Sequence, residues 1–331
     1  MSLEVKELVK RYGEKTVVNQ LSFSMNNAGV YALLGTNGAG KTTSLRIILG
    51  MLAKDGGEVL WKGKPLDTMA TNVGYLAEER GLYPKYSLMD QLLYFAKLKN
   101  VTSNEAKKRI KSFAKRLEVE EYLYPTKKGK AVRSRNADQL SKGNQQKIQL
   151  MAALLSEPDL LVLDEPLSGL DPVNSDLFKS IIKEEIAKGK YLIMSSHQMP
   201  IIEEFCEDIT ILDRGETVLK GNLNQIKKGY GRVNMNIKCE GDIHKILNEM
   251  SIPIKDETPE ELQVKVNGEG QANKLLKKML ENNIQVIKFE LREPSLHEIF
   301  VEKVGGSIQE TGEVEGTSQE TKEKEGAAYE K

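Results

Sequence analysis

Residues Gly35-Thr36-Asn37-Gly38-Ala39-Gly40-Lys41-Thr42 read GTNGAGKT, a full match to the phosphate-cradling pattern G-x-x-x-x-G-K-[ST]. The run before it, Val30-Tyr31-Ala32-Leu33-Leu34, is short and apolar, as a buried strand is. From Thr43 to Met51 the apolar residues fall at helical spacing, with Gly50 near the end. Strand, glycine-rich loop and helix in that order are the context the pattern requires. The glycines let the backbone wrap an anion, and the loop amides and the positive helix end face it. Lys41 is placed to reach β- and γ-phosphates, and the Thr42 hydroxyl suits Mg²⁺. A nucleoside triphosphate is therefore the expected ligand.

Outward from the loop, Leu160-Leu161-Val162-Leu163-Asp164-Glu165-Pro166 is a second buried-type strand, ending in two carboxylates. Asp164 suits Mg²⁺ held near the loop, and Glu165 suits a general base that polarises water beside the γ-phosphate. Leu140-Ser141-Lys142-Gly143-Asn144-Gln145 precedes a helical stretch from Gln146 to Leu155. Ser141 can cap that helix, whose first amides offer another anion site. His197 follows the apolar strand Tyr191 to Ser196, and Tyr12 lies in Lys10-Arg11-Tyr12-Gly13.

Five segments in this order resemble the ATP-binding subunits of ABC transporters, over residues 1 to about 228: GTNGAGKTT, LSKGNQ, LLVLDE, SGLD at Ser168–Asp171, and SSHQM with His197. The resemblance implies an α/β P-loop core with an antiparallel β subdomain and a helical subdomain at about 86–156. It implies that ATP and Mg²⁺ are bound and that ATP is hydrolysed to drive export. Tyr12 would stack on adenine. Gly35, Asn37, Gly38, Gly40, Lys41, Thr42 and Thr43 would surround the phosphates. Thr42, Glu78 and Asp164 would serve the metal, and Lys41, Glu165 and His197 the hydrolysis. In this family two subunits meet head to tail, so Ser141 and Gly143 would contact the γ-phosphate of ATP on the partner copy. The expected partners are a second copy and a separately encoded integral-membrane permease. The expected location is cytoplasmic, at the inner face of the membrane.

Three positions depart from the family's usual spelling, Asn144 standing where the signature usually has glutamine. Glu78 stands where glutamine is usual, trading an amide donor for a charged oxygen. Lys142 replaces the first glycine of the signature, whereas Gly143 is kept where a phosphate must approach the backbone closely. Together with YLAEERGLYPK at 75–85 and EPSLHEIF at 293–300, these spellings resemble the sodium-exporter-type branch, related to Na⁺ efflux ATPases.

The remainder of the chain sets bounds. At 331 residues it has room for two domains. Its formal net charge is zero, which gives no overall field favouring nucleic acid. The opening MSLEVKELVKRYGEK has no signal-peptide h-region, and no apolar run approaches the roughly 18 residues that span a bilayer. Cys206 and Cys239 fit no paired motif, and the three histidines form no zinc pattern. Residues 229–303 alternate strand and helix as βαβαβα, a small α+β accessory domain opening its last helix at the capping-box spelling Ser295-Leu296-His297-Glu298. Residues 304–331 are rich in Gly, Glu, Thr, Ser and Lys and are expected to form a disordered tail. The alternatives to a transport ATPase are a soluble ABC-type ATPase acting on DNA or ribosomes, and a weakly hydrolysing regulatory module. The single P-loop, and the compact segment between Lys41 and Asp164, count against the first.

Overall fold

The computed structural model describes residues 2–78, 81–127 and 129–310. The chain opens with two long strands, β1 (Leu3–Tyr12) and β2 (Lys15–Met25), then β3 (Gly29–Gly35) and helix α1 (Lys41–Ile48). Strands β4 (Gly56–Trp61), β5 (Lys64–Pro65) and β6 (Val73–Leu76) follow. A helical region comes next: α2 (Leu88–Leu98), α3 (Ser103–Arg116), α4 (Glu120–Leu123), the two-residue strands β7 (Thr126–Lys127) and β8 (Lys130–Ala131), and α5 (Lys142–Leu154). The core then resumes with β9 (Leu160–Asp164), α6 (Pro172–Ala187), β10 (Tyr191–Ser196), α7 (Met199–Phe205), β11 (Asp208–Asp213), β12 (Glu216–Asn222) and α8 (Leu223–Tyr230).

The central sheet has the order β12-β11-β3-β10-β9-β6. All its neighbours run parallel except β12, which closes one edge antiparallel to β11. Parallel strands need cover on both faces, which is why their sequences are continuously apolar. Along β3, Val30, Ala32 and Leu34 enter one core, with residues of α2, α3, α5, α6 and α7. The alternate residues Tyr31 and Leu33 enter a second core, with α1 and the antiparallel sheet β2-β1-β4-β5. The carboxyl ends of the parallel strands share one edge, the place where open α/β sheets bind ligands.

Beyond α8, strands β13 (Asn234–Glu240), β14 (Ile254–Glu257), β15 (Leu262–Lys265) and β16 (Gln285–Arg292) form an antiparallel sheet ordered β14-β15-β13-β16. Helices α9 (His244–Glu249) and α10 (Glu269–Glu281) cover one face, over a core that includes Met235, Ile237, Leu247, Leu275 and Met279. The order is βαββαβα, one strand more than the sequence suggests. The extra strand, β14, is an edge strand in which all four residues are exposed, so it carries no alternation of apolar and polar side chains. The last helix, α11 (Leu296–Glu310), opens at the reciprocal capping box of Ser295 and Glu298. It runs past residue 303, into the segment expected to be a tail; residues 311–331 lie outside the described residues.

Candidate functional site

The loop between β3 and α1 is built by close approach. A Cβ on Gly35 would stand 2.5 Å from the Leu212 carbonyl oxygen, and one on Gly40 2.6 Å from that of Val17. Gly38 and Gly40 also have φ of 82° and 102°, which side chains disfavour. Thr36, Asn37 and Gly38 are exposed at the tip, Thr42 and Thr43 are half-buried, and Lys41 is buried. The helix starts at Lys41, two residues earlier than the apolar spacing suggested, so its first amides lie inside the motif.

Lys41 Nζ donates to the carbonyls of Gly35 (2.9 Å) and Thr36 (3.2 Å) and lies 3.5 Å from Glu165 Oε1. The other carboxylate oxygen of Glu165 is 2.9 Å from His197 Nδ1. Glu165 is itself buried, with only 4% of its surface exposed. Its backbone has φ 49°, a conformation costly for a side-chain-bearing residue. It is held there by its N–H, which donates to Ser195 Oγ at 3.0 Å. Lys41, Glu165 and His197, from three separate segments, thus converge on one point.

Beside them, the Thr42 hydroxyl donates to Asp164 Oδ1 at 3.2 Å, and the Ser195 hydroxyl donates to the same oxygen. Asp164 Oδ2 is buried with no hydrogen-bond partner. Burial pushes the Asp164 carboxyl above its usual range, against the hydrogen bonds from Ser195 and Thr42 that lower it. A hydroxyl and a buried carboxylate with one orphaned oxygen are hard oxygen donors of the kind Mg²⁺ takes, so these residues fit that ion.

Ser195 went unnoticed in the sequence, where it reads only as the end of an apolar strand. It stands directly beside Asp164 in the parallel register of β10 and β9, a pairing that joins positions far apart in the chain.

Glu78 is exposed just after β6 and lines a cleft of about 610 Å³ with Glu165, Ser168, Lys142 and Gln146. The cleft leads from Glu165 and the Ser168–Gly169 turn to the start of α5. There Ser141 Oγ accepts from the Asn144 N–H at 3.3 Å, as an N-cap does, and keeps its own hydroxyl hydrogen to donate. A Cβ on Gly143 would meet Leu170 and Asn174 only at ordinary contact distance. Among the described residues no hydrogen bond joins Ser141 to the loop between β3 and α1. Tyr12 is exposed at the end of β1, with the Lys10 ammonium 5.3 Å from its ring centre. The β1–β2 hairpin reaches the phosphate loop through Val17, whose carbonyl abuts Gly40.

The family described as "ABC transporter" matches residues 18–168, and that described as "ATP-binding protein DrrA1-3-like, C-terminal domain" matches residues 221–304. The chain is 39% identical over 304 residues to the uncharacterized ABC transporter ATP-binding protein YhaQ of Bacillus subtilis (strain 168), covering 92% of this chain and 98% of that one. It is 31% identical over 223 residues to the Nod factor export ATP-binding protein I of Burkholderia orbicola (strain AU 1054), covering 66% of this chain and 70% of that one. A solved structure described as the ATP-binding subunit of an ABC transporter superposes with a TM-score of 0.62 at 28% identity, over 70% of this chain and 93% of that one. With the phosphate loop, the paired carboxylates and the histidine drawn together at the carboxyl edge of the sheet, these likenesses lead to one conclusion: the chain belongs to the ATP-binding, ATP-hydrolysing subunits of ABC transporters.

Proposed function

We propose that this chain is the ATPase of an ABC exporter, working at the cytoplasmic face of the membrane through a separate permease. The observation that carries it is the convergence of Lys41, Glu165 and His197 beside Asp164 and Thr42. Glu165 is the general base: it lies next to the phosphate loop and is oriented from both sides, by Lys41 and by His197. Lys41 exchanges its loop carbonyls for phosphate oxygens and counters their charge. His197 holds Glu165, and the water it activates, against the γ-phosphate. Thr42, Asp164 and Glu78 would hold Mg²⁺, which would neutralise phosphate charge when bound. Tyr12 stacks on the base.

Two copies bind each ATP between them. Ser141 and Gly143 of one face the γ-phosphate on Lys41 of the other, and the free Ser141 hydroxyl hydrogen suits an oxyanion. In domain terms, residues 1–228 are the ATPase, with its helical subdomain at about 86–156, and 229–303 are an accessory domain. The spellings around Glu78 and Lys142 and the segment 293–300 support the sodium-exporter-type branch. The name of the Nod factor relative supports export.

An apolar groove of about 470 Å³, lined by Leu49, Met51, Met69, Tyr75, Phe95 and Leu98, opens between the core and α2. Met69 is 92% exposed and Leu98 59%, a surface of the kind that a partner covers. We assign this groove to the permease. No helix among the described residues is long and apolar enough to cross a membrane, so attachment would come from that contact. Leu98→Asp is expected to keep the ATPase rate of the isolated chain within about twofold, since exposed substitutions change little. It should also release the chain from membranes when these are sedimented from cells expressing its transport system. Continued sedimentation at the wild-type level would place the permease elsewhere.

A further inference from the structure

A chain of polar contacts joins the C-terminal sheet to the helix that follows His197. At its outer end is Glu298, on the first turn of α11. Its carboxylate takes Arg292 Nη1 from β16 at 2.7 Å and Lys255 Nζ from β14 at 2.6 Å. Burial alone would raise this carboxyl, but Arg292, Lys255 and the Ser295 N–H hold it well below the usual carboxylate range. The start of α11 is thereby fixed to the C-terminal sheet.

The inner end is Glu203, on α7. Its Oε1 accepts the Leu296 N–H at 2.7 Å and lies 3.0 Å from Lys227 Nζ on α8. Leu296 is completely buried and belongs to the core of the ATPase, not to that of the C-terminal sheet. Phe300 and Val304, at successive four-residue steps, pack against the same core, so one stripe of α11 lies on α7 and β12.

Helix α7 is only seven residues long and begins at Met199, two residues after His197. The one residue between is tied down, its N–H donating to Ser196 Oγ at 2.9 Å. The His197 ring is about half exposed, and its single polar contact among the described residues is with Glu165. The ring is carried on the two-residue turn between β10 and α7, so its place depends on where α7 sits as well as on the sheet.

We propose that Glu203 is a positioning residue: by clamping α11 to α7 it lets the C-terminal domain set the stance of His197 against Glu165, and with it the rate of ATP turnover. This rests on the role given above to His197. Misplacement by about 1 Å of a group in a reacting constellation can cost up to about 100-fold in rate, so a small pivot of α7 is enough.

The test uses the full-length chain and steady-state ATPase kinetics with Mg²⁺ present, after confirming by circular dichroism that each variant is folded. Glu203→Ala is expected to lower kcat about five- to tenfold with KM for ATP changed less than about twofold. Glu203→Gln keeps an oxygen for the Leu296 N–H and should recover at least about half of the lost rate. Should Glu203→Ala fail to fold, Lys227→Met decides, through a smaller fall in kcat at unchanged KM. His197→Ala should be inactive while still binding ATP, and adding Glu203→Ala to it should change nothing more. Wild-type turnover by His197→Ala would remove the histidine's assigned role. An inactive His197→Ala beside a Glu203→Ala, or its Lys227→Met substitute, with wild-type kcat would overturn the Glu203 inference alone.

Discussion

Glu165→Gln is expected to lower the rate of ATP hydrolysis by at least about 100-fold while leaving ATP binding intact, because a positioned general base contributes about 10²–10⁴ in rate. Glutamine has nearly the same shape and can still contact His197, but it cannot take a proton from water. The substitution also removes the negative charge 3.5 Å from Lys41 Nζ. The lysine keeps its bonds to the Gly35 and Thr36 carbonyls, so the phosphate loop should hold its form and ATP affinity should stay level or rise. Turnover measured beside equilibrium nucleotide binding separates the two effects. Stalled before hydrolysis, the variant should elute as a dimer in size-exclusion chromatography with ATP and Mg²⁺. Hydrolysis at the wild-type rate would show that Glu165 is not the base.

Lys41→Ala should act at the earlier step. The ammonium is buried and, among the described residues, is the one cation placed against both the phosphate loop and Glu165. A hydrogen bond involving a charged group contributes about 1.5–3 kcal/mol, so its loss should weaken ATP binding about 10- to 100-fold. The real loss should lie at the upper end, since Glu165 would then face the phosphates without its counter-charge. Thermal unfolding with ATP reports this directly. A ligand at 100 times its Kd stabilises by about 2.7 kcal/mol, and weakening it 100-fold leaves about 0.4 kcal/mol. The ATP-dependent rise in Tm should therefore nearly vanish, and turnover with it. An undiminished rise would place the triphosphate away from this loop.

Much of this site was legible in the chain because its parts are local. The phosphate loop is eight consecutive residues, and Asp164 and Glu165 end a short apolar run of the kind a doubly covered strand shows. What was not legible depends on register and on distant pairings. Ser195 supports both Asp164 and Glu165, yet it does so through the alignment of β10 with β9, which no spacing along the chain reveals. Strand β14 was missed because its four exposed residues need no apolar face. The contact between Glu203 and Leu296 joins residues 93 positions apart, and Glu298, which the sequence marks only as half of a capping box, also anchors Arg292 and Lys255. Lys142 and Glu78, two unusual spellings in separate motifs, turn out to line the same cleft as Glu165.

We propose that ATP is gripped by two copies of this chain, each supplying half of the contacts. It is tested most directly by a structure of Glu165→Gln with ATP and Mg²⁺. The expected result is a pair of chains in which Lys41 of one and the Ser141 hydroxyl of the other both lie within about 3 Å of γ-phosphate oxygens of the same nucleotide. ATP seated on Lys41 of one copy, with Ser141 of every other copy remote from its γ-phosphate, would contradict it.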